Sequence, residues 1–232
     1  MIKFVDKNNC YIDESVDIGD GSVIYPGVVI EGNCVIGSNC IIGPGCFIKN
    51  SNIGDNCHVY CSHIFNSNVE NSVHVGPYAF IRDGVSVADG CRIGSFVEVK
   101  NSSIDYGSKV SHLSYIGDAS IGSDINIGGG VIIANYDGVK KNRTLVGNGC
   151  FIGSNCTLVA PVSIGENSVV GASSCITDDV PSNSLSIARC RQVNKKNYYK
   201  NEIWNMVFFY KLNIYICVYF YCKKKIFILK CI

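Results

Sequence analysis

A six-residue period of aliphatic residues constrains the fold of this chain more than any other feature of its sequence. The period begins at Ile18, ends at Ile176 and is broken once, between Ala134 and Leu145. An amphipathic helix would need an apolar period near 3.6 residues, which this spacing does not have. Six residues make one short strand and one corner, so three units make a triangular coil of about eighteen residues. The sequence therefore predicts an all-β fold, a parallel β-helix of roughly nine stacked coils.

Five units are one residue short, and each of them clips one corner of a coil. They begin at Ile48, Val59, Ile64, Val99 and Ile116. We expect the stack to continue through them, because the aliphatic positions resume in phase. The segment from Ala134 to Leu145 is about twice as long as a unit and carries Gly, Asn and Asp, so we expect it to project from a corner as a loop.

The fourteen cysteines also follow the repeat. Residues two apart share one face of a strand, so the small residue two before each aliphatic residue should point inward with it. These small residues are Ser22, Val28, Cys34, Cys40, Cys46, Cys57, Cys91, Cys150, Cys156 and Ser168. The chain has no Cys-x-x-Cys motif, and we therefore predict that its cysteines are packing residues rather than disulfides, metal ligands or redox centres. No metal site is expected.

Glycine follows the aliphatic residue in about half of the units, which predicts a corner at the end of each unit. We expect these glycines to supply positive φ angles, which cost glycine nothing. They are Gly37, Gly43, Gly54, Gly94, Gly122, Gly128, Gly147, Gly153 and Gly165.

The charge balance gives no case for a polyanionic or membrane partner. The net charge is +1 and 17% of the residues are charged, so bulk electrostatics would not attract nucleic acid or a lipid surface. The N-terminus lacks the apolar core of a signal peptide, which makes the cytoplasm the expected location.

The period stops near Val180, which predicts a β-helix domain over residues 1–181 and a polar extension over 182–200. From Asn201 to Ile232 the chain has no Gly, Pro or Asp and many Ile, Phe, Tyr, Lys and Cys residues. Three interpretations of this tail remain: a transmembrane segment, a folded extension, or a sequence that was never selected for folding, such as a frame change would produce. We favour the third, and expect the tail to lie outside the fold.

Specific motifs are embedded in the repeat, and together they resemble one family. They are GPYAFIRDG, GSFVEVKNS, KVSHLSYIGDASIGSDINIG, ANYDGVKK, FIGSN, LVAPVSIG and SLSIARCRQVNK. From about Ile12 to Lys200 the chain resembles the C-terminal acetyltransferase domain of the bacterial N-acetylglucosamine-1-phosphate uridyltransferase/glucosamine-1-phosphate acetyltransferase family. The resemblance implies a left-handed coil, since the known hexapeptide-repeat proteins coil that way.

The resemblance also implies a reaction, acetyl transfer from acetyl-CoA to the 2-amino group of glucosamine 1-phosphate on the route to UDP-N-acetylglucosamine. The family's uridylyltransferase domain has no counterpart in this sequence, so uridylyl transfer is not expected of it. The family is a homotrimer with its site between subunits, and we expect the same here.

The site residues come from matching the family's motifs. His112 matches the general base, and a histidine suits proton removal from an amine near neutral pH; Glu98 is a candidate to orient its imidazole. Arg82 and Lys100 are one coil apart, so they should stack as a phosphate clamp. The resemblance adds sugar contacts from Tyr115, Asn126 and Lys141.

Acetyl-CoA positions are implied for six further residues. The resemblance places Asn135 and Tyr136 at the acetyl group and the sugar, where an amide N–H of Asn135 could stabilise the oxyanion. Gly129, Ser154, Ala172 and Arg189 match the other acetyl-CoA positions, although the family often has Ala in place of Gly129.

Three alternatives remain open. One is another hexapeptide-repeat acyltransferase, and the second is a non-catalytic scaffold. The third is a carbonic-anhydrase-like enzyme with a three-histidine metal site, for which the chain offers His58, His63, His74 and His112.

Overall fold

The computed structural model describes residues 1–196, 220–222 and 225–227. Residues Met1–Arg189 form one compact unit, a parallel β-helix whose strands build three sheets. We call these sheets faces A, B and C, in the order in which each coil passes through them. In the second unit, Cys190–Ile232, the strands Phe220–Cys222 and Lys225–Phe227 pair antiparallel. Apart from these two strands, the predictions for the tail lie outside the described residues, and the proposed domain boundaries stay predictions.

The strands of face A are Lys3–Phe4, Val23–Ile24, Ile41–Ile42, His58–Val59, His74–Val75, Arg92–Ser95, Lys109–His112, Asn126–Ile127, Phe151–Ile152, Val169–Val170 and Leu185–Ser186. Those of face B are Tyr11–Ile12, Val29–Glu31, Phe47–Lys49, His63–Phe65, Phe80–Arg82, Glu98–Lys100, Tyr115–Gly117, Ile132–Ala134, Thr157–Val159 and Cys175–Ile176. Those of face C are Asp17–Ile18, Val35–Ile36, Asn52–Ile53, Asn68–Val69, Ser86–Val87, Ser103–Ile104, Ala119–Ile121, Thr144–Val146 and Val162–Ile164. A short 3₁₀ helix spans Lys7–Asn9.

The predicted fold class is confirmed. Each strand pairs in parallel with the strand one coil before and one coil after it, and the three faces hold eleven, ten and nine strands. The ladder starts at Lys3, before the first aliphatic residue of the period, and it runs on to Ser186, which pairs with Val170. The five short units do not break it: Ile48 stays in register with Ile64, for example.

The core confirms the predicted inward pairs. The aliphatic positions from Ile24 to Ile176 are buried, as are all ten of the small residues that precede them by two. Burial raises the pKa of both the Cys46 and the Cys91 thiols to about 11, so neither forms a thiolate at neutral pH. These cysteines act as small apolar residues that fill the narrow interior.

The glycines of the Ile-Gly units serve a different purpose from the expected one. None of the nine has a positive φ angle, so that expectation is wrong. A Cβ at Gly54 would lie 2.8 Å from the carbonyl carbon of Glu70 in the next coil, and one at Gly153 would lie 2.7 Å from Cα of Ala172. Glycine is needed there because adjacent coils approach too closely for any side chain.

Positive φ angles occur instead at the corners, and Asn, Asp and Ser supply most of the non-glycine examples. Their short polar side chains tolerate the left-handed conformation. The projecting loop is also confirmed: the face B strand Ile132–Ala134 ends before it, and the face C strand Thr144–Val146 begins after it. Among the described residues, no helix is long and apolar enough to cross a membrane.

We predict that Gly54→Ala lowers the free energy of unfolding by about 1–3 kcal/mol, because the new methyl group forces two coils apart. Gly171→Ala is the matched control, since the tightest contact of its Cβ would be Cγ1 of the Ile187 side chain, at 3.1 Å, and the nearest backbone atom would lie at 3.6 Å. Thermal denaturation followed by circular dichroism measures both. Equal stability of the two variants would contradict the proposed coil-to-coil restriction.

Candidate functional site

The two residues predicted to form a phosphate clamp lie on face B. Arg82 is in register with Lys100, and Lys100 with Gly117, so the two cations stack on adjacent coils as their spacing predicts. The Arg82 guanidinium also lies over the Phe80 ring, 5.4 Å from its centroid. Both cationic side chains are half-buried. The two cationic groups are therefore partly shielded from solvent.

Arg82 is held by two carboxylates. Its Nη2 and Nε donate to Oε1 of Glu98 at 2.7 and 3.0 Å, and its Nη1 donates to Asp83 at 2.7 Å. Glu98 therefore orients Arg82, and the structure gives no hydrogen bond between Glu98 and His112 within residues 1–196. The expected contact from Glu98 to the imidazole is wrong for the single chain.

The loop between Asn135 and Arg143 folds back on itself. Its turn is fixed by Asp137, whose carboxylate accepts hydrogen bonds from the backbone N–H groups of Val139 and Lys140 and from Asn142 Nδ2, each at 2.8 Å. The hydrogen bonds from Lys140, Asn142 and Val139 lower the pKa of Asp137 to about 2, so the turn keeps its anion at neutral pH. An antiparallel bridge joins Tyr136 to Lys141.

The loop returns Lys141 to face B beside Lys100. The approach of the Lys141 side chain, followed by its charge and that of Arg82, lowers the pKa of Lys100. The interaction with Lys100, and more weakly the charge of the Asp118 carboxylate, raises the pKa of Lys141. Three cations from three separate segments thus meet on one surface, although the repeat alone could place only two of them.

Asn135 lies at the start of the loop and is 7% exposed. Its Nδ2 donates to Asp118 Oδ2 at 2.5 Å and contacts Tyr115 Oη at 3.3 Å. A Cβ at Gly117 would lie 2.7 Å from that Nδ2, so glycine is what permits this approach. The side-chain amide N–H is engaged within the chain, and the expectation that it stabilises an oxyanion does not fit this arrangement. The side chain offers Oδ1, an acceptor, instead.

A second group of predicted residues forms a column at the corner between faces A and B. We call His112, Gly129, Ser154 and Ala172 the A/B corner column. Backbone hydrogen bonds link it from coil to coil: Gly130 N–H donates to His112 O at 3.3 Å, Asn155 N–H to Gly129 O at 2.9 Å and Ser173 N–H to Ser154 O at 2.8 Å. The His112, Ser154 and Ala172 positions are exposed.

Two further predicted acetyl-CoA residues are Gly129, within the column, and Arg189, at the end of the β-helix. A Cβ at Gly129 would meet His112 Cβ at 3.5 Å, an ordinary contact, so the alanine frequent in the family would fit there too. Arg189 is exposed and follows Ala188, whose carbonyl accepts a hydrogen bond from Cys175 N–H at 3.1 Å. It lies at the C-terminal end of the β-helix.

Asn126 is separated from the other predicted sugar contacts. It lies on face A, in register with Lys109 and Phe151, whereas Arg82, Lys100 and Tyr115 lie on face B. The histidines are dispersed as well: His58 and His74 pair on face A, while His63 lies on face B. Within the described residues, no three His, Cys, Asp or Glu side chains are placed to hold a metal ion.

The two edges of face B carry different chemical groups. An exposed imidazole stands at one edge, the A/B corner, and three cationic side chains stand at the other, with Tyr115 between them. Such a surface suits a small molecule with a phosphate at one end and an acidic proton to be removed at the other.

Two residues of this site were not singled out from the sequence. Asp118 is 8% exposed and accepts the Asn135 hydrogen bond, and Gly117 makes room for it. The spacing of Asp118 could have indicated its role, because it lies one coil after Asn101 and one coil before Asn135, and a carboxylate can accept hydrogen bonds from both amides. That inference also needs the position of the loop, which leaves the coil at this corner.

Comparison with known proteins places the chain in a family. A family model described as "bacterial transferase hexapeptide (six repeats)" matches residues 15–50, 66–101 and 143–178. The chain is 50% identical over 197 residues to the bifunctional protein GlmU of Caldicellulosiruptor saccharolyticus, a match that covers 85% of this chain and 42% of that protein. It is 51% identical over 199 residues to GlmU of Carboxydothermus hydrogenoformans, covering 86% and 45%. The chain spans less than half the length of these curated relatives.

Solved structures agree on the fold. The UDP-N-acetylglucosamine acyltransferase of Francisella novicida aligns over 81% of this chain and 67% of its own, with a TM-score of 0.61 and 19% identity. That of Campylobacter jejuni aligns over 91% and 83%, with a TM-score of 0.56 and 15% identity. This likeness concerns the fold, the left-handed parallel β-helix. The chain belongs to the bacterial transferase hexapeptide family and is homologous to the bifunctional GlmU proteins along 85% of its length.

Proposed function

We propose that this chain transfers the acetyl group of acetyl-CoA to the 2-amino group of glucosamine 1-phosphate. The observation that carries the proposal is the convergence of Arg82, Lys100 and Lys141 on the surface that His112 borders, in a chain about half identical to GlmU proteins. The proposal concerns acetyl transfer alone, because the chain spans less than half of those relatives.

His112 is the proposed general base. As the amine nitrogen attacks the thioester carbonyl carbon, a C–N bond forms and the nitrogen must lose a proton, which the imidazole accepts. The C–S bond then breaks and the CoA sulfur leaves, taking up the proton. The exposed position of His112 at the corner leaves room for both substrates beside it.

The three cations are proposed to bind the sugar phosphate. A phosphate monoester carries close to two negative charges above its second pKa of about 6, and guanidinium and ammonium groups bind it through charge-assisted hydrogen bonds. Tyr115 lies between this cluster and the corner, where the sugar ring would be. Asn135 presents Oδ1 rather than Nδ2, so we assign it to accept a hydrogen bond from the sugar.

Acetyl-CoA is proposed to run along the A/B corner column. Gly129, Ser154 and Ala172 lie on successive coils beyond His112, so an extended thioester would pass them with its acetyl group at the imidazole. Arg189, near the C-terminal end, would then meet a phosphate of the CoA. Tyr136, at the loop base, is assigned to the acetyl end.

We also propose a homotrimer, in which face A of one subunit borders face B of the next. Two features support this arrangement. Asn126 faces away from the face B cluster of its own chain. At the same corner as His112, Tyr78, Phe96 and Leu113 are 59, 60 and 63% exposed in spite of being apolar, and the first two rings stack 5.3 Å apart. Exposed apolar ladders of this kind mark interaction surfaces.

We assign the reaction to the cytoplasm. Both proposed substrates carry phosphate charges that make a lipid bilayer a high barrier.

The direct test is incubation with acetyl-CoA and glucosamine 1-phosphate, followed by chromatography of the sugar product. The many thiols of the chain make a thiol-reagent readout unsuitable. We expect His112→Ala to lower kcat roughly 10²- to 10⁴-fold with binding of both substrates retained, because only proton transfer is lost. His74→Ala, an exposed histidine on face A, should retain full turnover. Acetylation of a different amine would indicate another hexapeptide acyltransferase, and no acetylation at all would indicate a scaffold.

A second prediction follows from the pKa of Lys100. Its ammonium form binds the phosphate and its pKa lies below the ordinary value of 10.5, so affinity should fall with rising pH sooner than for an isolated lysine. Lys141→Met removes the neighbour that lowers this pKa. We expect weaker binding in this variant at neutral pH, but a loss of affinity that begins at higher pH. Calorimetric titration with glucosamine 1-phosphate from pH 7.5 to about 10 measures this, and an identical pH midpoint in both proteins would refute the assignment.

A third prediction concerns the trimer. If Asn126 acts on the face B site of a neighbour, Arg82→Ala and Asn126→Ala subunits refolded together should regain activity, since some mixed sites contain both intact residues. The matched control mixes Arg82→Ala with Lys100→Ala. These two residues lie on the same face of one chain, so no mixed site is restored. Absence of recovery in the first mixture would place Asn126 outside the shared site.

A further inference from the structure

The corner between faces B and C carries a ladder of Asn and Asp residues, which we call the B/C corner ladder. It consists of Asn50, Asn66, Asp83, Asn101 and Asp118, with φ angles of 45, 48, 56, 46 and 53°. Asn and Asp occupy this left-handed conformation more readily than other residues that have a Cβ. Asp118 is the last rung before the chain leaves the coil as the loop. Asp118 therefore lies directly below the loop and contacts both of its ends.

Asp118 is nearly buried, yet both of its carboxylate oxygens have partners. Oδ1 accepts from Asn101 Nδ2 at 2.6 Å, and Oδ2 accepts from Asn135 Nδ2 at 2.5 Å. Hydrogen bonds to a charged acceptor are about twice as strong as neutral ones. The carboxylate thus ties the coil below to the loop above.

The chemistry of this position requires aspartate. Both neighbouring side chains present amide donors, and a carboxylate accepts from both at once. An asparagine would offer one acceptor and one donor, so one of the two neighbouring amides would face another N–H group. A buried mismatch of this kind is costly, and either Asn101 or Asn135 would have to turn over to relieve it.

The backbone of Asp118 holds the far end of the same loop. Its carbonyl accepts a hydrogen bond from Thr144 N–H at 3.2 Å, and its N–H donates to Lys100 O at 3.0 Å. Asp118 therefore contacts both ends of the loop, Asn135 at its start and Thr144 just after its end. It also contacts the strand that carries Lys100. Its charge also lies close enough to Lys141 to favour the ammonium form.

We propose that Asp118 is a positioning residue for the acceptor sugar: its carboxylate fixes Asn135 with Oδ1 outward and holds the loop so that Lys141 stands beside Lys100. This inference rests on the proposed acetyl transfer. Asp118 does not touch the reacting atoms. It acts through Asn135 and through the loop, and its removal should affect the sugar and not the CoA corner.

The test compares Asp118→Asn and Asp118→Ala with the control Asp124→Asn. Asp124 is a left-handed corner aspartate with a φ angle of 55°, exposed, and its side chain forms no hydrogen bond within residues 1–196. Calorimetry with glucosamine 1-phosphate should show affinity about 10- to 100-fold weaker in both Asp118 variants. Affinity for CoA, which lacks the acetyl group, should stay within about twofold, because the A/B corner column is independent of the loop.

A second measurement reads the loop without any substrate. Trypsin cleaves after Lys140, Lys141 and Arg143, and cleavage there should accelerate in both Asp118 variants but not in Asp124→Asn. The unfolding temperature of the β-helix should fall by only a few degrees for Asp118→Asn, because a neighbouring amide can turn over to relieve most of the mismatch. These results together would separate positioning from general destabilisation.

Three outcomes overturn the proposal. Unchanged sugar affinity in both Asp118 variants removes it directly. A parallel fall in sugar affinity, CoA affinity and unfolding temperature reduces Asp118 to a structural role. Unchanged trypsin cleavage removes the anchoring of the loop. If the wild-type chain binds no glucosamine 1-phosphate, the proposed function fails along with the sugar part of this inference, while the cleavage rates still decide whether Asp118 anchors the loop.

Discussion

Coil-to-coil hydrogen bonding governs every other property of this protein. Each strand bonds only to its counterparts one coil before and one coil after, so a residue's place in the repeat decides its face, its depth and its vertical neighbours. The narrow interior admits one aliphatic and one small residue per side, which is why cysteine and serine recur there. The distance between coils excludes a Cβ at the Ile-Gly glycines. Function is therefore confined to the outward positions, the corners and the loop.

This regularity explains how much could be predicted from the sequence. The period alone gave the strands, the core, the buried cysteines and the stacking of Arg82 on Lys100, because all of these depend only on spacing. The reason for the Ile-Gly glycines was missed, since a period carries no information on how closely two coils approach. Their φ angles are ordinary, and the restriction lies in the neighbouring coil.

The site was less predictable because its decisive contacts do not follow the repeat. Lys141 reaches Lys100 only through the turn that Asp137 fixes. Glu98 accepts hydrogen bonds from Arg82 and not from His112, and Asn135 directs its amide N–H toward Asp118. In both cases the nearest hydrogen-bonding partner in the folded chain determines the orientation of the side chain. Motif resemblance named the residues of the site, but it could not give the direction in which a side chain points.

The segregation of the site to the middle and later coils has a consequence for how such a chain can change length. The strands from Lys3 to Ile53 carry none of the proposed site residues, and each touches only its immediate neighbours in the stack. A whole coil gained or lost there would translate the site along the solenoid axis without altering any angle or distance within it. The amino-terminal coils thus act as a spacer of adjustable height, which sets how far the proposed site stands from the first coil of the solenoid.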